Sequence, residues 1–226
     1  MAGRIRAVLL DALGTLVQLE PPAPRLRAEL GRVGFDVDAP AAERAFGAEI
    51  AYYVEHHLEG RDPASLDELR DRCARVLHGA LGIPELPLPV AREAMLGSIA
   101  FEPYPDAAPT LGELRGHGLR LVAASNWDCS LPHVLDRAGL ASLLDGVVAS
   151  AVAGARKPDR ALFTAALTLA GCSAEEALHV GDSVENDVDG ARAAGIRAVL
   201  LDRAGEVAAP PGVPVITGLE RVASLI

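Results

Sequence analysis

Lysine is almost absent from this chain: of its 21 Lys and Arg residues, only Lys157 is not arginine. A generic surface cation here is therefore Arg. The lone Lys, set between Arg156 and Pro158-Asp159, marks a place that wants a compact ammonium where a planar guanidinium would demand a different geometry. Positive charge is scarce altogether, with a formal net charge of −10 and no basic stripe. That excludes the clustered Lys and Arg from which nucleic-acid binding draws its affinity. Aromatic residues make up only 4% although half the residues are hydrophobic, so Ala, Leu and Val must fill the interior. Cys73, Cys129 and Cys172 have neither an even number nor metal-ligand spacing, and read as reduced thiols. No segment reaches the roughly 20 apolar residues that span a bilayer. Arg4 and Arg6 before an apolar run mimic a signal peptide, but Asp11 interrupts the run and no small-residue cleavage site follows. A cytoplasmic protein without nucleic-acid or membrane partners is the expectation. Internal repeats and low-complexity tracts are also missing.

What is present is an ordinary α/β composition in 226 residues, enough for a sizeable core and a subdomain. From Pro21 to Ile99 the pattern is helical. It predicts a short helix over Arg25–Val33 and a longer one over Ala41–Leu58, with Ala45, Phe46, Ile50, Tyr53, Val54 and Leu58 on one side. Ser65-Leu66-Asp67-Glu68 reads as a capping box opening a third helix, whose stripe is Leu66, Leu69, Cys73, Val76, Leu77 and Ala80. Gly82, Pro84, Pro87 and Pro89 break the chain before a fourth helix over Val90–Leu96. After Pro103-Tyr104-Pro105, helices alternate with short apolar strands. A helix ends over Leu111–Gly116. Strands follow at Leu119–Ala124, Gly146–Ser150, Leu178–Val180 and Ile196–Leu201, with helices at Leu131–Arg137, Asp159–Ala170 and Asn186–Ala194. Such alternation implies parallel strands with right-handed crossovers, a doubly wound sheet. Residues 1–16 and 101–226 are thus expected to form a Rossmann-like core, and 17–100 a helical insertion after its first strand. Gly14–Leu19 and Glu102–Asp106 are the expected hinges.

The chemistry gathers at the ends of two of these strands. The apolar run from Ile5 ends at Asp11, followed by Ala12-Leu13-Gly14-Thr15-Leu16. Leu178-His179-Val180 runs into Gly181-Asp182-Ser183-Val184-Glu185-Asn186-Asp187. The carboxyl ends of parallel strands are where open α/β sheets bind ligands. Three carboxylates meeting there would raise one another's pKa unless a cation kept them ionised, which calls for a hard, oxygen-liganded metal, magnesium first. Each residue also has a bland reading: Asp11 as a turn or helix cap, Asp182 or Asp187 as the cap of the following helix, Ser183 and Asn186 as turn formers.

These segments resemble the haloacid dehalogenase superfamily, in the type with a helical cap inserted after the first strand. The family's first motif, Asp-x-Asp-Gly-Thr, is matched by Asp11, Gly14 and Thr15. Its second, a Ser or Thr ending a strand, is matched by Ser125 in Leu121-Val122-Ala123-Ala124-Ser125-Asn126. Its third, a Lys before Pro-Asp, is Lys157-Pro158-Asp159. Its fourth, Gly-Asp with a further Asp, is Asp182 and Asp187. Four motifs in order cover nearly the whole chain. The resemblance implies Asp11 as nucleophile and Lys157 as its catalytic cation. Ser125 and Asn126 would bind phosphate through hydroxyl and N–H donors. Mg2+ would be held by Asp11, the Leu13 carbonyl and Asp182, with Asp187 a more distant partner. Asp128 reads as a cap and Trp127 as packing.

One position departs from the pattern: Leu13 stands where the family's phosphatases carry a second Asp. That Asp protonates the leaving oxygen and then activates water, a role of roughly 10² to 10⁴ in rate. Leucine can do neither, though its carbonyl remains. Tyr52, Tyr53, His56 and His57, in i, i+4 register, are candidates to supply the missing acid, each with a helix-surface or core role as the plainer alternative. The expected activity is magnesium-dependent hydrolysis of a small phosphorylated molecule. Dehalogenation by attack of Asp11 on carbon, and phosphate binding without turnover, are the rivals.

Overall fold

The computed structural model describes residues 4–208 and 210–226. The chain packs as two compact units, one running to Gln18 and resuming from Pro103 to Ile226, the other Leu19–Glu102.

The first unit is built on a parallel sheet. Its strands are β1 (Ala7–Leu10), β4 (Arg120–Ser125), β5 (Gly146–Ala149), β6 (Ala177–Gly181), β7 (Arg197–Leu201) and β8 (Val215–Ile216), in the order β5-β4-β1-β6-β7-β8. Two short strands between β1 and β4, β2 (Val17–Leu19) and β3 (Phe101–Pro103), pair as a separate ribbon where the chain leaves and returns. All four residues of β1 are fully buried. Central parallel strands are covered on both faces, so Ala-Val-Leu-Leu runs apolar without alternation. Ala7 and Leu9 join Val122, Ala124, Leu162, Phe163, Ala166 and Ala191 in one core cluster. Each fully buried Leu contributes roughly 1.5–3 kcal/mol. The core helices are α5 (Ala107–Gly116), α6 (Leu131–Arg137), α7 (Ser150–Ala153), α8 (Arg160–Ala170) and α9 (Gly190–Ala193). Asp159 caps α8 by accepting from the Ala161 N–H at 2.9 Å.

The doubly wound sheet agrees with the sequence reading, and α6 agrees to the residue. The stretch read as a helix over Asn186–Ala194 is different: Val184–Asp189 is a π-helical turn, and only Gly190–Ala193 is α-helical.

The second unit contains α1 (Pro22–Arg32), α2 (Ala39–His56), a 3₁₀ turn His57–Glu59, α3 (Pro63–Leu81) and α4 (Leu88–Ser98). All four helices carry proline in their first two positions, where its missing N–H costs nothing. Two expectations fail here. The α3 cap is Asp62, which accepts from the N–H groups of Ala64 and Ser65 while the Ser65 hydroxyl takes the Asp62 N–H. Pro63 allows the helix to begin a turn before Ser65-Leu66-Asp67-Glu68. In α2 the buried face is Ala42, Ala45, Phe46 and Glu49, whereas Ile50 and Val54 are exposed. A buried carboxylate hid the true stripe. Among the described residues no helix is long and apolar enough to cross a membrane.

Candidate active site

Asp11, Ser125 and Asp182 follow or end β1, β4 and β6, which lie side by side where the strand order reverses. Leu10 is in register with Ala123 on one side and Val180 on the other, and Asp11 N–H donates to the Val180 carbonyl at 2.9 Å. The carboxyl ends of these strands form the crevice that such sheets use for ligands.

Lys157 comes from the loop ahead of α8 and is 2% exposed. Its ammonium donates to Asp11 Oδ1 at 2.5 Å and to Asp187 Oδ1 at 2.6 Å. Asn126 fixes the loop that carries it: Asn126 Oδ1 accepts the Lys157 N–H at 2.7 Å and Nδ2 donates to its carbonyl at 3.1 Å. The Asn126 side chain thus grips the Lys157 backbone on both its N–H and its carbonyl. Asp187 accepts from His179 Nε2 at 2.9 Å through Oδ1 and from the Ser183 N–H at 3.0 Å through Oδ2. The Ser183 hydroxyl caps the π-helical turn by accepting from Asn186.

The charges set the protonation. Burial raises the Asp11 pKa and outweighs the opposing pull of Lys157, with Asp187 adding to the rise and the Ser125 hydroxyl countering it. Burial also works to raise Asp187, but Lys157 and His179 win and hold it well below the usual carboxylate range. Burial would depress Lys157, yet Asp11 and Asp187 together raise it. Asp182, on the open side, is pushed up to about 6 by partial burial and by the charges of Asp11 and Asp187.

Asp11, Asp182 and Asp187 each offer an oxygen within 4.8 Å of the others. Three carboxylates against one ammonium leave the cluster negative, and its donors are hard oxygens. A divalent cation of the magnesium or calcium kind fits that set. Two glycines make the approach possible. A Cβ on Gly14, whose φ is +82°, would lie 2.0 Å from Asp182 Oδ2, and one on Gly181 would lie 2.2 Å from Asp187 Cγ. Leu13 is 45% exposed at the same turn, and its side chain brings no acid.

The structure thus brings together Asp11, Ser125, Lys157, Asp182 and Asp187, with Asn126 behind Lys157 and Leu13 beside them. Asp128 and Trp127 are buried; Asp128 accepts from the Ser130 N–H at 2.7 Å, a local turn ahead of α6. In the helical unit Tyr52 stacks on His56 with ring centroids 4.0 Å apart. His56 and His57 each place Nδ1 on a carbonyl of α2, those of Tyr52 and Val54. Sequence reasoning missed His179 and Arg203. His179 had one signal, a polar residue inside a buried apolar strand. Arg203 had none: it reaches back to the Gly14 and Thr15 carbonyls at 3.2 and 2.8 Å, pairs with both oxygens of Asp106, and stacks on Tyr104 at 3.7 Å.

The family model for haloacid dehalogenase-like hydrolases matches residues 5–195. The chain belongs to this family. A phosphoserine phosphatase of Thermus thermophilus is 32% identical over 222 residues, covering 88% of this chain and 89% of the relative. A crystal structure of a haloacid dehalogenase-type phosphatase from Thermococcus onnurineus superposes with a TM-score of 0.66 at 24% identity, covering 98% and 97% of the two chains. A 2-haloacid dehalogenase from Pseudomonas syringae superposes with 0.68 at 23% identity over the same shares. At such identities the two structures speak for the fold. This haloacid dehalogenase-like hydrolase therefore shares its architecture with enzymes that cleave different bonds, and its own site must decide between them.

Proposed function

We propose that this hydrolase cleaves small phosphorylated molecules in a magnesium-dependent reaction through an aspartyl phosphate on Asp11. The observation that carries this is the Asp11–Lys157–Asp187 chain with Asp182 at its open side. Such an excess of buried negative charge suits a cation-assisted phosphoryl site and has no evident use in attack on carbon. The named phosphatase among the relatives supports the same reading.

In this mechanism a carboxylate oxygen of Asp11 attacks phosphorus in line with the leaving oxygen, and water then cleaves the acyl phosphate. Lys157 orients Asp11, counters part of the rise that burial gives its pKa, and sets a positive charge beside the phosphoryl oxygens. The Ser125 hydroxyl and the Asn126 N–H serve as donors to those oxygens. Asp11, the Leu13 carbonyl and Asp182, with Asp187 behind, would hold Mg2+, which supplies counter-charge to the phosphoryl group. With leucine at position 13 no side chain there protonates the leaving oxygen, so activated esters and acyl phosphates are the preferred substrates. The helices of residues 17–100 act as a cap that selects the substrate, and the protein works in the cytoplasm.

Leu13 also favours a second reading, dehalogenation, which needs no such acid. Inorganic phosphate and halide release are measured on phosphate esters and 2-haloacids, with and without Mg2+, for wild type and Asp11→Asn. Magnesium-dependent phosphate release lost in Asp11→Asn is expected. Halide release that survives chelation would replace the phosphatase reading.

A further inference from the structure

His179 sits in the middle of β6, fully buried, in register with Leu9 on one side and Ala198 on the other. The Phe163 ring stands nearly perpendicular to it, at 87°, with the ring centroids 5.1 Å apart. Leu9, Phe163 and Ala198 all belong to the hydrophobic core cluster. Its Nε2 lies 2.9 Å from Asp187 Oδ1, and its Nδ1 is buried with no hydrogen-bond partner among the described residues. A carboxylate oxygen only accepts, so the proton is on Nε2. Nδ1 is then a polar atom left unpaired in a dry core, a cost that an apolar residue of similar size would avoid. The packing does not need this imidazole. The carboxylate does.

We propose that His179 is a positioning residue: its Nε2–H fixes the Asp187 carboxylate, and through it the ammonium of Lys157 against Asp11. Asp187 Oδ1 takes two donors, His179 Nε2 and Lys157 Nζ, while Oδ2 is held by the Ser183 N–H. With three donors on two oxygens the carboxylate plane is locked, and Lys157 Nζ is directed onto Asp11 Oδ1. Without His179 one oxygen is held by the flexible end of a lysine alone. The carboxylate then rotates and Lys157 loses its fixed place between the two acids. Partners one step behind a site's own ligands typically matter by 10- to 100-fold.

The kinetic arm of the test rests on the phosphatase reading, and the spectroscopic arm does not. Lys157 is the chain's only lysine, so lysine labelled with 13C at the ε position gives one side-chain NMR signal. His179→Leu is expected to shift or broaden that signal and to lower kcat on an aryl phosphate 10-fold or more, with KM within about twofold. His179→Gln, which restores an N–H donor, is expected to recover most of both. An unchanged Lys157 signal in His179→Leu, or equal behaviour of the Leu and Gln variants, overturns the proposal. If no substrate turns over, the signal still decides it. Should the Leu variant not fold, the 15N spectrum of wild-type His179 decides: a protonated Nε2 is expected, and a bare Nε2 overturns the proposal.

Discussion

Lys157→Met removes the one positive charge between two buried acids while keeping the length of the side chain. The oxygens of Asp11 and Asp187 lie within 4.8 Å of each other. At an effective dielectric constant of about 20, two full charges at that separation repel by about 3.5 kcal/mol. Removing one partner from a buried ionic cluster costs roughly 3–5 kcal/mol, the same order. The pH dependence gives the sharper signature. In wild type Asp187 has a depressed pKa, so its contribution is present above the ordinary 3.8 and disappears as acid drives it through the folded value. In the variant, burial and mutual repulsion leave the pair with a raised pKa. Its folded state then binds a proton that the unfolded chain has released, and stability falls as pH rises above about 4. The gap between the two proteins is therefore smaller near pH 4 than near pH 8, and smaller again in stronger acid. Urea midpoints at several pH values measure it, and added Mg2+ is expected to narrow the gap at high pH. A loss below about 1 kcal/mol, or the same loss at every pH, would refute the idea that Lys157 neutralises this pair.

Leu13→Asp supplies the missing acid and is expected to speed alkyl phosphates by up to roughly 10² to 10⁴ with little change for aryl esters; wild type that already treats both alike would show that another acid is in place. Gly14→Ala puts a methyl 2.0 Å from Asp182 Oδ2 on a backbone with φ +82°, and is expected to weaken magnesium binding measured by calorimetry and to lower stability by about 1–2 kcal/mol. Asp182, at about 6, makes the metal-free protein lose stability as pH rises from 3.8 through 6, by something on the order of 1 kcal/mol once solvent screening is allowed for. Thermal melts across that range are expected to flatten with saturating Mg2+ and in Asp182→Asn.

The parts of the fold that could be read from the residues are those written in short-range pattern. β1 is an unbroken apolar run and β6 an apolar run interrupted only by His179, each with a carboxylate just beyond, and α6 is bounded by Pro132 near its start and Gly139 after its end. Patterns fail where a tertiary partner decides. Glu49 is buried in α2 at a place that any hydropathy reading gives to solvent, and Ile50 is exposed at a place it gives to the core. β2 and β3 have three residues each, too few to establish a period. The π-helical turn at Val184–Asp189 follows from aiming Asp187 back at Lys157, His179 and the Ser183 N–H, not from propensity. The site's carboxylates were visible because their strands announce them. Lys157, which holds two of them, was visible as the lone lysine, but Arg203, which steadies the turn after Asp11, was not, since it and the Thr15 carbonyl it binds lie at opposite ends of the chain.

The ribbon of β2 and β3 makes the chain's exit and re-entry a single doorway. Glu20 N–H meets the Ala100 carbonyl at 2.9 Å, and Tyr104 N–H meets the Leu16 carbonyl at 3.0 Å. Arg203 bolts the frame by binding Gly14 and Thr15 on one side and Asp106 on the other. To the sheet, everything from Leu19 to Glu102 is one loop whose two ends are already neighbours. Closing such a loop costs only about 0.6 kcal/mol more for each doubling of its length. A gene can therefore lengthen, shorten or exchange the whole excursion without shifting the register of any core strand. Heredity can treat the helices as a cassette and keep the chemistry of Asp11 and Lys157 as the fixture it plugs into.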